Sequence, residues 1–311
     1  MKGTIAIVGC GLMGRGLAAV FALANHGVRV YDAFAEALWS APEKIGQEMG
    51  HFVKSGLIEA GLAQGALHRI SPQAELSKAV AGADLVIECA PEKMELKQGL
   101  FKELDALCPG DVILASNTSV MSVTEIGALA AKKDRILGTH FWNPPLLIPL
   151  VEVVQTVHTA PEVIEKTMAV INGAGKKPIR VKKDVPGFVG NRMQHALWRE
   201  AFHILDEGIA DAATIDEAIR HGFGLRLPKL GPMENADMIG LDLALDIHEY
   251  ILKFLCDDKK PSRRLQELVK KGHLGFKTNG QGFQTWSESD MDKSKVGLID
   301  YLVNVIISKN K

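Results

Sequence analysis

The sequence predicts an α/β fold in the first half, with a doubly wound parallel sheet, followed by an all-α C-terminal domain. Three observations carry this. Short apolar runs alternate with helical patterns through the first half. A glycine cluster, Gly9-Cys10-Gly11-Leu12-Met13-Gly14, ends the first apolar run and opens a helical pattern. Past a break at 177–187, strand-like runs nearly vanish. The 311 residues suit two domains, since single domains run ~100–200 residues. The division is drawn at 1–183 and 184–311.

The elements follow in order. Thr4-Ile5-Ala6-Ile7-Val8 is apolar on both faces, as a buried parallel strand requires. Residues 12–26 read as a helix and Val28-Arg29-Val30-Tyr31 as the next strand. A long helical stretch covers roughly 34–61. Asp84-Leu85-Val86-Ile87-Glu88 and Val112-Ile113-Leu114-Ala115 are further strands, separated by a helix over 93–107. Lys176-Lys177-Pro178 then leads through Ile179-Arg180-Val181-Lys182 to Asp184-Val185-Pro186-Gly187. Pro186 suits a first helical turn, where its missing N–H costs nothing. Helical patterns follow at 188–207, 212–221, 234–255 and 261–271, with glycine-rich punctuation at 222–224 and 272–282.

Composition narrows the function classes. Lys and Arg number 36 against 37 Asp and Glu, so no basic field exists to attract nucleic acid or an anionic membrane. No apolar run approaches the ~20 residues of a membrane span. Four scattered cysteines without a CxxC exclude a disulfide framework and a thiolate zinc site, and fit a reducing cytoplasm. No histidine or carboxylate cluster has metal-ligand spacing. The apolar run after Lys2 leads directly into the glycine cluster, so it reads as part of the fold and not as a signal peptide.

The glycine cluster is a G-x-G-x-x-G placed between a strand and a helix, and Asp32 ends the next strand, 18 residues after Gly14. That context is the Rossmann-type dinucleotide fingerprint. Gly9 permits the tight turn, Gly11 lets a pyrophosphate reach the backbone, and Gly14 lets helix and strand pack closely. The backbone around Leu12 and Met13 offers free N–H groups to phosphate. Asp32 is expected to accept hydrogen bonds from the adenosine ribose. Ala33 and Phe34 follow it, with no cation for a 2′-phosphate, so NAD is expected over NADP.

The chemistry signal is Gly138-Thr139-His140-Phe141-Trp142-Asn143-Pro144-Pro145, followed by Ile148-Pro149-Leu150-Val151-Glu152. A Pro-Pro turn between His140 and Glu152 can bring two strand ends side by side. A carboxylate on one imidazole nitrogen fixes the tautomer and leaves the other to move a proton. A core histidine bonded to backbone is the alternative for His140 taken alone.

These residues lie in a wider pattern. His140-Phe-Trp-Asn-Pro-Pro, Ser116-Asn-Thr-Ser119, Glu88-Cys-Ala-Pro-Glu92 with Lys97, Asp184-Val-Pro-Gly-Phe-Val-Gly-Asn191-Arg192 and Leu274-Gly-Phe-Lys277 run in order along nearly the whole chain. The sequence resembles the L-3-hydroxyacyl-CoA dehydrogenase family. The resemblance implies a Rossmann-type NAD-binding domain, a helical domain that forms a homodimer, and an active site between the two. It implies that His140 is the general base and Glu152 its orienting partner. Ser119 and Asn191 would hydrogen-bond the reacting oxygen or the neighbouring carbonyl. Glu92, Lys97, Asn117, Asn143 and Lys277 would contact the cofactor.

The substrate end is mixed. The segment 36–61, where the family holds coenzyme A, carries Glu36, Glu43, Glu48 and Glu59 against Lys44 and Lys54, the wrong sign for CoA phosphates. The Asn-Pro-Pro and Ile-Pro-Leu-Val-Glu runs look like the branch acting on small free hydroxy acids such as L-gulonate or carnitine. Residues 231–242 and 272–283 look like the acyl-CoA branch, which is placed slightly ahead. Asn191, His195 and Arg199 share one helix face, so Arg199 is a candidate to pair with a small carboxylate. The alternative is that Arg199 lies on the dimer interface or pairs with a nearby carboxylate such as Glu200 or Glu207. A non-catalytic NAD-binding protein is the remote alternative. So is a hydroxyacid dehydrogenase using a catalytic lysine.

Overall fold

The computed structural model describes residues 2–309 and divides into two compact units, 2–192 together with 300–309, and 193–299. The first division therefore falls nine residues later than the 183/184 boundary drawn from sequence, and the last stretch of chain groups with the first unit.

The first unit is built on one eight-stranded sheet in the order β3-β2-β1-β4-β5-β6-β7-β8. Its strands are β1 Lys2–Val8, β2 His26–Tyr31, β3 Ile70–Pro72, β4 Leu85–Glu88, β5 Ile113–Ser116, β6 Ile136–Phe141, β7 Leu150–Gln155 and β8 Lys177–Val181. All neighbours are parallel except β6 and β7. The helices of this unit are α1 Leu12–Leu23, α2 Ala35–Lys54, α3 Ala60–Leu67, α4 Leu76–Val80, α5 Met94–Leu107, α6 Val123–Ile126 and α7 Pro161–Gly173. β1 shows why the sheet is covered on both faces. Ile5 and Ile7 pack into one core with Leu17 and Phe21, while Ala6 and Val8 pack into another with Phe101 and Leu104. The chain reverses its winding between β1 and β4, and ligands of such sheets bind beyond the carboxyl ends of the strands at that point.

The helix expected over 34–61 is two helices. Gly56 takes φ +74°, which ends α2 and turns the chain into α3. The helix expected over 12–26 stops at Leu23, because Asn25 takes φ +68°. β3, α4, α6 and α7 had no clear sequence signal.

The second unit is helical: it takes α8 Gly190–Asp206 from residue 193, α9 Ala212–His221, α10 Pro232–Ile239, α11 Leu241–Ile251, α12 Arg263–Lys270 and the part of α13 Glu288–Lys309 up to residue 299. The single helix expected over 234–255 is broken at Gly240, which takes φ +96°. None of α9, α10, α11 and α12 holds a buried residue. The unit contains a largely apolar cavity of about 560 Å³ lined by residues including Trp198, Phe202, Leu268, Lys277, Phe283 and Trp286. No helix among the described residues is long and apolar enough to cross a membrane.

Candidate active site

The glycine loop joins β1 to α1 at the switch point. Gly9 takes φ +108°, a conformation L side chains rarely adopt, and a Cβ there would meet the Cys89 carbonyl at 2.7 Å. A Cβ on Gly14 would collide with the Gly9 carbonyl. A Cβ on Gly11, by contrast, would meet nothing within 4 Å, so the backbone there lies open to a ligand. The Gly11, Leu12 and Met13 N–H groups donate to no acceptor among the described residues. Asp32 braces the loop: Oδ2 accepts from the Cys10 N–H at 2.7 Å and Oδ1 from the Phe34 N–H at 2.9 Å. Open donors at a helix start and a carboxylate at the next strand end fit the pyrophosphate and ribose of a dinucleotide.

Beyond β6, β7 returns antiparallel and sets Glu152 directly opposite His140. His140 Nδ1 and Glu152 Oε2 are 2.7 Å apart, and both residues are buried. Glu152 collects three further donors. Trp142 Nε1 donates to Oε2 at 3.3 Å, and the Val189 and Gly190 N–H groups donate to Oε1 at 2.9 Å each. Phe188 turns those two amides inward from a left-handed φ of +49°, costly for a bulky residue, and its ring lies 5.9 Å from the His140 ring. Burial alone would raise the Glu152 pKa, but the hydrogen bonds from His140, Gly190 and Val189 reverse this and hold it below its ordinary value. Glu152 is thus a carboxylate, Nδ1 must carry the proton between them, and Nε2 is left free of protein partners among the described residues.

Asn191 follows the Gly190 amide on α8, and its Nδ2 donates to the Ser119 carbonyl at 2.9 Å. The Ser119 hydroxyl has no partner among the described residues. Two hydrogen-bonded pairs, His140 with Glu152 and Asn191 with Ser119, are thereby brought together through the Gly190–Asn191 backbone, since the Gly190 N–H donates to Glu152. Asn117 Oδ1 accepts from the Phe141 N–H at 2.9 Å and so anchors the strand end next to His140.

The remaining candidates separate. Glu92 is tied back: its carboxylate accepts from the Thr118 hydroxyl and from the Ser119 N–H at 2.8 Å. Lys97 is buried beside two carboxylates, with Glu92 Oε2 at 3.5 Å. It is only 1% exposed, and its Nζ lies 2.6 Å from Glu88 Oε1 and 3.0 Å from the Ala90 carbonyl. Glu88, fully buried at the end of β4, also accepts from the Ser116 hydroxyl at 2.6 Å. A charge ending an apolar strand was the signal for this network. Asn143 is exposed on the turn after β6. Lys277 and Arg199 belong to the second unit and are exposed. Arg199 forms no ion pair among the described residues, while Glu200 instead accepts from the Cys256 N–H at 2.8 Å.

Two family models match in sequence. The one described as 3-hydroxyacyl-CoA dehydrogenase, NAD binding domain, covers residues 4–185, and 3-hydroxyacyl-CoA dehydrogenase, C-terminal domain, covers 187–286. The chain is 38% identical over 285 residues to a 3-hydroxyadipyl-CoA dehydrogenase of Escherichia coli, covering 91% of this chain but 59% of that protein's length. A probable 3-hydroxybutyryl-CoA dehydrogenase of Bacillus subtilis is 37% identical over 285 residues, covering 91% and 97%. The solved structure of 5-formyl-3-hydroxy-2-methylpyridine 4-carboxylic acid 5-dehydrogenase, an NAD+ dependent dismutase, superposes with a TM-score of 0.88 at 32% identity, covering 98% of this chain and 97% of that one.

Proposed function

The chain belongs to the 3-hydroxyacyl-CoA dehydrogenase family, and on that premise we propose that His140 is the general base of an NAD-dependent alcohol oxidation. That it is an NAD-dependent oxidoreductase acting on a CH–OH group follows from the family itself. The observation that carries the base assignment is the 2.7 Å contact between His140 Nδ1 and a carboxylate held ionised by four donors. With Nδ1–H fixed on Glu152, Nε2 takes the hydroxyl proton as the alcohol carbon is oxidised to a ketone. NAD, when bound, accepts the hydride from that carbon. The Glu152 charge steadies the imidazolium formed. The Ser119 hydroxyl and the Asn191 side chain hold the reacting oxygen or an adjacent carbonyl.

The substrate reading placed first is an L-3-hydroxyacyl-CoA, in line with the CoA-named relatives. One observation favours a small free hydroxy acid as a second reading. The helix after Asp32, α2, exposes Glu36 and Glu43 against Lys44 and Lys54, with Glu48 half-buried and Glu59 exposed just beyond. That surface lacks the cationic field that CoA phosphates require. NADH formation with 3-hydroxybutyryl-CoA beside L-gulonate, carnitine and free 3-hydroxybutyrate tests both. Faster turnover of the thioester supports the first reading; turnover of free acids alone overturns it.

The second unit is assigned to substrate binding and to a homodimer. Supporting the dimer, α11 exposes Leu241, Leu243, Leu245, Ile247 and Tyr250, which lie on more than one side of the helix, and a helix apolar on more than one side is one that other protein covers. Sedimentation equilibrium at micromolar concentration should give twice the chain mass; a monomer would overturn this. The four free thiols are in keeping with a reducing compartment, the cytoplasm.

A further inference from the structure

We propose that Arg15 is a positioning residue for the cofactor's phosphates, orienting the Cys10–Gly11 peptide so that the Gly11 N–H faces the pyrophosphate, with Glu48 on α2 holding Arg15 in that pose. Arg15 follows the last fingerprint glycine on α1. Its Nη1 donates to the Cys10 carbonyl at 3.1 Å. Its Nε and Nη2 reach Glu48 Oε1 at 3.0 Å and 2.9 Å. The guanidinium is thus gripped along its edge by a carboxylate while its remaining arm holds one carbonyl of the loop.

A trans peptide carries its C=O and N–H on opposite sides. Drawing the Cys10 carbonyl toward Arg15 therefore turns the Gly11 N–H away from Arg15. That N–H has no acceptor among the described residues, and the missing Gly11 Cβ faces open space. The preceding peptide is fixed in the same manner, since Asp32 Oδ2 accepts the Cys10 N–H at 2.7 Å. Two successive peptides of the loop are pinned from outside it, one by Asp32 and one by Arg15. Glu48 offsets the guanidinium charge, so the contribution of Arg15 is orientation rather than attraction. Donors already aimed before the ligand arrives reduce the ordering cost of binding. Lysine cannot substitute, because a single ammonium lacks the planar fork that spans Glu48 and the Cys10 carbonyl.

The inference rests on NAD as the cofactor and not on the assignment of His140. Its test is calorimetric binding of NADH and of ADP-ribose, with Tm and kcat measured alongside. Arg15→Gln should weaken both ligands roughly tenfold, about the effect of one charge-assisted hydrogen bond. At saturating NAD, kcat should stay within about twofold, because ground-state and transition-state binding are lost together. Arg15→Lys should bind as weakly as Arg15→Gln. Glu48→Ala should weaken binding about threefold, and the double variant should be no weaker than Arg15→Gln alone, as for groups acting as one unit. Unchanged affinity with a lowered Tm would make the pair a mere staple between α1 and α2 and overturn the proposal. Full rescue by lysine, additive losses in the double variant, or loss for NADH but not ADP-ribose would each overturn it too. Should Arg15→Gln fail to fold, Glu48→Ala decides alone, and wild-type affinity in that variant overturns it.

Discussion

Replacing Glu152 by Gln keeps the shape of the His140 partner and removes its charge, and the structure fixes how the amide must sit. Oε1 receives two backbone N–H groups, from Val189 and Gly190, so the amide oxygen takes that place. The amide NH2 then occupies the Oε2 position and points at His140 Nδ1, 2.7 Å away. Two donors cannot face each other, so Nδ1 becomes the acceptor and the imidazole proton moves to Nε2. An Nε2 that already carries a proton cannot accept one from the substrate. In a Ser-His-Asp triad the same exchange of carboxylate for amide costs ~10⁴ in kcat. A general base is worth ~10²–10⁴. A loss of ~10³–10⁴ is expected here, or ~4–5.5 kcal/mol at about 1.36 kcal/mol per decade. NADH binding should not change. Stability should respond as well. The folded-state pKa of Glu152 lies below its ordinary 4.5, so its contribution is full above about pH 4.5 and is lost as pH falls through the folded-state value. Wild-type Tm should therefore fall more steeply on acidification than Tm of the Gln variant. Steady-state kinetics, NADH titration and thermal melts from pH 3 to 7 are the assays. A kcat within about threefold of wild type would refute the tautomer argument.

Asp32→Ala should narrow the preference for NAD over NADP in kcat/KM, because it removes ribose hydrogen bonds and the repulsion of a 2′-phosphate together; an unchanged ratio would count against the role given to Asp32. Asp105→Ala should cost about 3 kcal/mol in denaturant unfolding, since Arg135 is buried and its Nη2 lies 2.7 Å from Asp105 Oδ1. A loss below about 1 kcal/mol would show the pair to be dispensable. Lys176 is buried among the carbonyls of Pro145, Leu146 and Ile148, and burial pushes its pKa from 10.5 down to about 8. The unfolded chain then binds more protons between about pH 8 and 10.5, so stability should rise across that window relative to Lys176→Met. Parallel Tm curves for the two proteins would contradict this.

The sheet was legible where strands are buried on both faces, because Ile5–Val8 and Leu85–Ile87 are apolar without interruption. Helix ends were less legible. The stop at Gly56 depends on a left-handed φ that one glycine among several in the segment, with Gly46, Gly50 and Gly61, does not announce. Short elements such as β3 are held by neighbours distant in sequence, not by a local pattern. In the site, the pairing of His140 with Glu152 could be anticipated, since a turn between two short runs brings their ends together. Its other partners could not: the Val189 and Gly190 amides arrive from residues 37 and 38 positions further on. Lys97 is a further case where the fold supplies partners that the sequence does not show. A lysine in a family motif suggested a cofactor contact, and the fold buries it against Glu88, nine positions away, a partner marked only by its being a charge at the end of an apolar strand. Arg15 and Glu48 were each unremarkable in sequence and meet only because α1 packs against α2.

The central claim is that His140 moves the substrate proton, and His140→Gln tests it most directly when turnover and NADH affinity are measured on the same preparation. The substrate is whichever of the thioester and free hydroxy acids the wild type turns over fastest. The account predicts a kcat lower by at least ~10² with NADH affinity and Tm near wild type, since the imidazole acts on the substrate and not on the cofactor. Near-wild-type turnover in a folded, NADH-binding variant would contradict it.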